Sequence, residues 1–323
     1  MEQNKLRVGV IGVGHLGEFH VQKYQAIPTV ELVGVVDINQ DRLNEIAQRY
    51  NVQVYGGHHE IIDRVDAVSL AVPTEIHFAV ARDLLSSGIH VLIEKPITYR
   101  LEDADNLLSL ARKRDLILQV GLVERFNPAV VKMESLVNRP IFVESHRMNL
   151  PTKRGTDVDV VLDLMIHDLD VILHMIRSEV KDVHAVGMSV ITEKTDIANV
   201  RIIFVDGTVA NLTASRVSGK MLRKIRVFQP DAYISADCGK REITVIMLDN
   251  ESKDLDGFPE VITDKLKFPD SDPLADEVHS FVNAVRNGSE PVVTGSDGRR
   301  ALEIALGIIE QIERGSKDFQ AIC

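Results

Sequence analysis

Short, near-continuous apolar runs alternate with stretches of helical periodicity through the first third of the chain. The runs fall at Val8–Ile11, Glu31–Val36, Ala67–Val72, His90–Ile93 and Ile117–Gly121, with a brief one at Gln53-Val54. Between them, apolar residues recur at helical spacing from Leu16 to Tyr24 and over Asp41–Tyr50, Ile76–Ser86 and Glu102–Arg114, with a short helix near His59–Ile62. Strands without polar alternation, separated by helices, predict a parallel sheet covered on both faces, a doubly wound α/β domain. After Gly121 the pattern changes. A helix is expected over Pro128–Leu136, a strand over Ile141–Met148 and a helix over Val158–Ile176. Strands then follow one another at Val183–Ile191, Asn199–Phe204, Thr208–Ser215, Leu222–Phe228, Ala232–Asp237 and Ile243–Leu248, with Asp206-Gly207 and Pro230-Asp231 as turn signals. Without crossover helices this second sheet should be large and mostly antiparallel, in an α+β domain. The charged stretch Ser252–Asp272 reads as loop, and helices near Pro273–Asn287 and Gly298–Arg314 close the chain. The expected domains are therefore 1–121 and 122–323.

Composition narrows the function classes. The 323 residues carry a net charge of −11, which disfavours nucleic acid and anionic membrane as partners. Two cysteines, Cys238 and Cys323, give no disulfide framework and point to a reducing compartment. The polar start and the absence of any apolar run near the roughly 18 residues of a membrane span predict a soluble, cytoplasmic protein.

The first break in the apolar pattern carries chemistry. Gly12-Val13-Gly14-His15-Leu16-Gly17 fits G-x-G-x-x-G between a strand and a helix. Gly12 permits the tight turn, Gly14 lets backbone approach a pyrophosphate, and Gly17 lets helix and strand pack closely. Asp37 closes the second strand, about twenty residues on, where a carboxylate holds ribose hydroxyls. It would repel a 2′-phosphate, so NAD is expected over NADP, although Arg42 lies nearby. His20, Pro73, Thr74 and His77 follow strands one and four, near the expected cofactor cleft. Glu94-Lys95-Pro96 follows strand five; an ammonium there can stabilise a developing alkoxide, while by position alone the pair equally fits an exposed strand end.

Three further groups stand out. On one helix Asp163, His167 and Asp170 fall at i, i+4 and i+7, a workable general-base arrangement that by spacing alone equally fits a solvated face. No further ligand cluster accompanies it, so no metal is expected. Glu124, Arg125 and Asn127 precede Pro128; Asn127 is equally a helix cap. Arg147, Lys153 and Arg154, and again Arg216, Lys220, Arg223 and Lys224, suit a phosphate-bearing substrate or a charged strand edge.

Together these pieces resemble the glucose–fructose oxidoreductase / inositol dehydrogenase (Gfo/Idh/MocA) family of NAD(P)-dependent oxidoreductases. The resemblance spans essentially the whole chain. It rests on the glycine motif with His20, Pro73-Thr74 with His77, Glu94-Lys95-Pro96, Asp163 with His167 and Asp170, and the closing segment Pro291 to Leu302. It implies that Lys95, Asp163 and His167 line the site between cofactor and sugar, with His167 taking the hydroxyl proton, Lys95 bridging substrate oxygen and cofactor, and Asp163 holding a neighbouring hydroxyl. The stretches Gly121–Pro128 and Val161–Asp168 are similar to a narrower branch, the nucleotide-sugar dehydrogenases that oxidise C3 of UDP-N-acetylglucosamine, a step that in bacteria precedes amination for some lipid A. Leu122 stands where that branch usually has His, and Met165 where the wider family often has Gly. A dehydrogenase of a free aldose or inositol, or a non-catalytic NAD-binding regulator, are the competing readings. Alternating apolar positions at Ile202, Phe204, Val209, Leu212, Ile243 and Val245 suggest a sheet covered by helices on one face and a second subunit on the other, giving a homodimer or homotetramer.

Overall fold

The computed structural model describes residues 5–151, 158–253 and 259–322. Six strands form the first sheet: β1 (Leu6–Ile11), β2 (Val30–Val36), β3 (Val54–Tyr55), β4 (Ala67–Leu70), β5 (His90–Glu94) and β6 (Leu118–Gly121). All pair in parallel, in the order β3-β2-β1-β4-β5-β6. The connecting helices are α1 (His15–Gln25), α2 (Gln40–Tyr50), α3 (Thr74–Ser86) and α4 (Leu101–Arg114). The strand order reverses between β1 and β4, so a crevice opens at their carboxyl ends.

The second sheet has eight strands, in the order β14-β13-β12-β11-β7-β10-β9-β8. They are β7 (Phe142–Met148), β8 (Val180–Met188), β9 (Ile197–Phe204), β10 (Val209–Ser215), β11 (Leu222–Gln229), β12 (Ala232–Asp237), β13 (Glu242–Lys253) and β14 (Pro259–Lys267). Every pairing is antiparallel except β7 with β10. Residues alternate along the central strands. Val200, Ile202, Phe204, Leu212, Ile225, Val227, Ile243 and Val245 are buried against the helical layer, whereas Val209 is only half-buried. That layer holds α5 (Pro128–Leu136) and α6 (Ile166–Met175), the latter entered through one turn of π-helix, Val161–Met165.

Two expectations are corrected here. The stretch read as loop contains β14, which pairs with β13 from Glu242↔Lys267 onward. Its charges misled: Lys265 and Lys267 bind Glu242 across the ladder, at 3.1 and 2.9 Å, and so protect an edge strand. Val158–Ile176 is not one regular α-helix, because the π turn occupies its first part.

The chain divides into two compact units, each built from two segments: 1–123 with 272–302, and 124–271 with 303–323. A single cut near Gly121 therefore misplaces Asp272–Leu302. The reason is helix α7 (Pro273–Asn287), whose Val278, Phe281 and Val282 enter the same core as Val8, Val10, Val21, Tyr24 and Leu92. Its start is well specified: Asp272 accepts from Ala275 N–H at 3.1 Å and Pro273 occupies the first turn. The last helix, α8 (Gly295–Ile322), begins earlier than its apolar pattern predicts. Thr294 and Asp297 form a reciprocal capping box, with Asp297 Oδ2 accepting from Thr294 N–H at 2.8 Å and Thr294 Oγ1 from Asp297 N–H at 3.1 Å. Among the described residues no helix is long and apolar enough to cross a membrane.

Phe281 is 0 % exposed, so Phe281→Ala should destabilise the first unit by about 3–5 kcal/mol in urea denaturation. A loss under about 1 kcal/mol would show that α7 is not part of that core.

Candidate active site

The glycine motif makes the dinucleotide crevice by close backbone approach. Gly12 has φ +84°, and a Cβ there would lie 2.6 Å from Ala71 O. A Cβ on Gly17 would overlap Gly12 O, whereas Gly14 faces open space. That space is a cavity of about 470 Å3, lined by Gly12, Gly14, His15, Leu16, Asp37 and Pro73, among the residues expected from sequence. Ile38, Gly56, Gly57, His58, Val72 and Ile76 also line it and were not legible, because no motif marks the β3 end or the residue after Asp37. Ile38 is 96 % exposed at the rim, with Leu16 and Ile76 also exposed, an apolar surface suited to a flat base. The first-turn N–H groups of α1 point their partial positive charge at the same opening.

Asp37 is held in place by the loop it serves: Oδ2 accepts from Val13 N–H and Oδ1 from Asn39 N–H, both at 2.9 Å. Arg42 donates to Val13 O at 2.7 Å and binds Glu18 and Glu45. Burial raises the Glu18 carboxyl, but hydrogen bonds from Arg42, Tyr50 and Arg49 outweigh it and hold the group at about 2.

Glu94 ends β5, the strand next to β4 in the sheet order, and Lys95 follows it. Glu94 Oε1 meets His20 Nε2 at 3.0 Å, and Oε2 accepts from Lys95 N–H at 3.3 Å. His20 is buried and its Nδ1 lies 3.0 Å from Ser69 Oγ. The Lys95-Pro96 peptide is cis. His77 is also buried; its ring nitrogens lie 2.9 Å from Val72 O and 3.0 Å from Pro96 O. It thus ties the turn after β4 to the turn after β5, and burial lowers its pKa. Thr74 opens α3.

In the second unit Asp163 lies in the π turn and His167 in the first turn of α6, both half-buried. The extra residue per π turn, with Ile166 N–H bonded to Val161 O, sets the angle between their side chains. Asp168 and Asp170 are both 3 % exposed. Arg147 of β7 donates to Asp168 Oδ1 at 2.6 and 3.0 Å and to Glu124 Oε1 at 2.9 Å. Arg125 Nη1 donates to Asp170 Oδ1 at 3.1 Å, so the expected i, i+7 carboxylate is drawn to an arginine on the inner side. Asn127 caps α5 through Ala129 N–H and also donates to Glu124 Oε2 and Cys238 O. The residues expected to touch substrate here, Glu124, Arg125, Asn127 and Arg147, are therefore buried and engaged with other protein groups. Burial raises the Glu124 carboxyl, but Arg147 overrides this and lowers it. Lys153 and Arg154 lie outside the described residues. Arg216 is buried, with Nε 3.7 Å from Asp196 and Nη2 donating to Val158 O.

Asp196 organises the approach to the π turn. Its Oδ2 accepts from the N–H groups of Val190, Ile191 and Thr192 at 2.6–2.9 Å, and Thr195 O accepts from Val160 N–H.

The chain matches the model of an oxidoreductase family with an NAD-binding Rossmann fold over residues 6–122, and the GFO/IDH/MocA C-terminal domain over residues 130–234. It is 38% identical to UDP-N-acetylglucosamine 3-dehydrogenase of Acidithiobacillus ferrooxidans, over 95% of this chain and 97% of that protein. The chain belongs to the Gfo/Idh/MocA family. A solved structure of the Acidithiobacillus enzyme superposes with a TM-score of 0.88, at 37% identity, covering 96% of this chain and 98% of that one. Myo-inositol 2-dehydrogenase of Thermotoga maritima is 27% identical over 95% of this chain and 96% of that protein. This Gfo/Idh/MocA protein is accordingly an NAD(P)-dependent oxidoreductase acting on CH–OH groups, and the open space at Gly14, the apolar rim and the anchored Asp37 fit a nicotinamide dinucleotide.

Burial raises the Asp196 carboxyl, but the three backbone N–H groups and Thr192 outweigh it, leaving it at about 2. A pKa depressed on folding adds stability that is complete above the ordinary carboxylate range and disappears as pH falls through the folded value. Asp196→Asn should cost about 2 kcal/mol at pH 7, a gap that closes as urea denaturation is repeated toward pH 2. A gap constant with pH would refute the assignment.

Proposed function

We propose that this oxidoreductase is an NAD-dependent dehydrogenase of a nucleotide sugar, oxidising the C3 hydroxyl of UDP-N-acetylglucosamine to the 3-keto sugar. The observation that carries this reading is end-to-end similarity to a dehydrogenase of that substrate, well above that to the inositol dehydrogenases. Asp37 favours NAD over NADP, because a carboxylate repels a 2′-phosphate, while the Arg42 charge is already engaged by Glu18 and Glu45. Lys95 hydrogen-bonds the substrate oxygen and stabilises negative charge as it develops there. His167 takes the hydroxyl proton, and Asp163 holds a neighbouring hydroxyl. The bound nicotinamide supplies the hydride acceptor. The paired arginines fix α6, and with it His167, rather than meeting a phosphate.

That burial of Arg125 and Arg147 is the observation favouring a second reading, a free aldose or inositol as substrate, which needs no phosphate contact. With UDP-N-acetylglucosamine and NAD, NADH absorbance should grow, if necessary with a coupled aminotransferase to remove the keto product. NADP should be at least tenfold less efficient, and His167→Ala should cut turnover by about 10²–10⁴-fold. No NADH from the sugar nucleotide but turnover of inositol or an aldose would overturn the substrate; a His167→Ala loss of only a few-fold would overturn its role.

The second face of the eight-stranded sheet carries Phe142, Phe228 and Tyr233 in tilted contact, with ring centroids 5.5 and 5.1 Å apart, and we assign this face to a second copy of the chain. Light scattering should give the mass of a dimer or tetramer; a clean monomer contradicts this.

A further inference from the structure

Beneath the turn that carries Lys95 lies a buried polar chain that proton and hydride transfer leave unused. Tyr24 Oη is 2.7 Å from Ser69 Oγ, which leads through His20 to Glu94. A further acid joins it from α7. Glu277 is 0 % exposed, and it offers a carboxyl oxygen within 4.8 Å of both the Glu94 carboxylate and the His20 ring. Among the described residues neither carboxyl oxygen of Glu277 has a hydrogen-bond partner. Its backbone is satisfied separately, since Gln119 Nε2 donates to Glu277 O at 3.0 Å, while Gln119 Oε1 has no donor.

A bare carboxylate in this position would lose its hydration with nothing in exchange, and it would face the negative charge of Glu94. One proton removes both problems, because neutral Glu277 becomes a donor beside an acceptor that has lone pairs to spare. The neighbouring groups already have partners: His20 Nε2 lies 3.0 Å from Glu94 Oε1 and Tyr24 Oη 2.7 Å from Ser69 Oγ. Glu94 is confined from β6 as well, for a Cβ on Gly121 would lie 3.0 Å from its carboxyl carbon.

We propose that Glu277 hands a hydrogen bond to Glu94 as a neutral acid, so that the pair shares one proton and one negative charge, and that Glu277 thereby acts as a positioning residue for Lys95. The importance of Lys95 rests on the function proposed above; the state of the pair does not. Burial, with the Glu94 charge beside it, pushes the Glu277 carboxyl well above the usual carboxylate range. Because its pKa is raised on folding, its contribution to stability is complete below the unfolded value and falls as pH rises. The titratable groups facing it are Glu94 on β5 and His20 and Tyr24 on α1; Gln119 on β6 is the remaining polar neighbour.

The test uses the full chain with Glu277→Gln, a neutral isostere that still donates, and Glu277→Leu, which cannot. In urea denaturation from about pH 5.5 upward, the unfolding constant of the wild type should rise with pH relative to Glu277→Gln, approaching about tenfold per unit until the folded value is passed. A flat ratio overturns the shared proton. In the reductively 13C-methylated protein, the Lys95 dimethyl resonance, assigned through Lys95→Arg, should be unmoved in Glu277→Gln and displaced in Glu277→Leu. An unmoved resonance in Glu277→Leu overturns the positioning role. Neither readout uses a substrate, so they can succeed even if UDP-N-acetylglucosamine fails as one.

Discussion

Everything in the first unit depends on two stretches of backbone running almost in contact. The chain leaves β1 through Gly12 at positive φ, presses against the Ala71 carbonyl, and returns as α1 with Gly17 seated on the Gly12 carbonyl. Only residues without a Cβ allow that approach. The consequence is spatial economy at the strand tips: the start of α1, the Asp37 carboxylate and the turn after β4 border one opening of about 470 Å3. The rest of the unit maintains this arrangement. Asp37 is anchored to the glycine loop through Val13, and His77 ties the β4 turn to the β5 turn.

Charge is used differently in the two units. The second unit buries a triad, Glu124–Arg147–Asp168, and a pair, Arg125–Asp170, both reaching α6. Such pairs add little net stability compared with apolar packing, but breaking one is costly because it strands a buried charge. Their effect is to hold the helix that presents His167 from both sides, after a π turn that sets the offset from Asp163. Among the described residues, the first unit instead buries Glu277 beside Glu94 with no hydrogen-bond partner for its carboxyl oxygens, and a proton takes the place of a cation. In both, buried polar groups lie beside a residue to which the proposed function gives a role.

The glycine motif and Asp37 were legible because each point demands a particular residue: no Cβ where backbone approaches backbone, and a carboxylate held by the glycine loop. The parallel sheet followed from its unbroken apolar strands. Other features depend on tertiary partners and carry no local sign. β14 reads as loop because its lysines are solvated until Glu242 meets them across the ladder. The basic residues near the site read as phosphate contacts because burial of Arg147 depends on acids contributed from α6 and from the turn before α5. Ile38 and His58 entered the crevice through β2 and β3 geometry rather than any motif. Glu277 sits in an ordinary amphipathic helix pattern, and only the packing of α7 onto the first core reveals its isolation.

The central claim is that the hydride comes from C3 of a UDP-linked N-acetylglucosamine. The most direct measurement uses sugar nucleotide deuterated at C3, with mass analysis of the cofactor recovered after turnover. Deuterium should appear in the reduced cofactor from the C3-labelled sugar and be absent when the label is at C4. Reduced cofactor free of deuterium from the C3-labelled substrate would contradict the account.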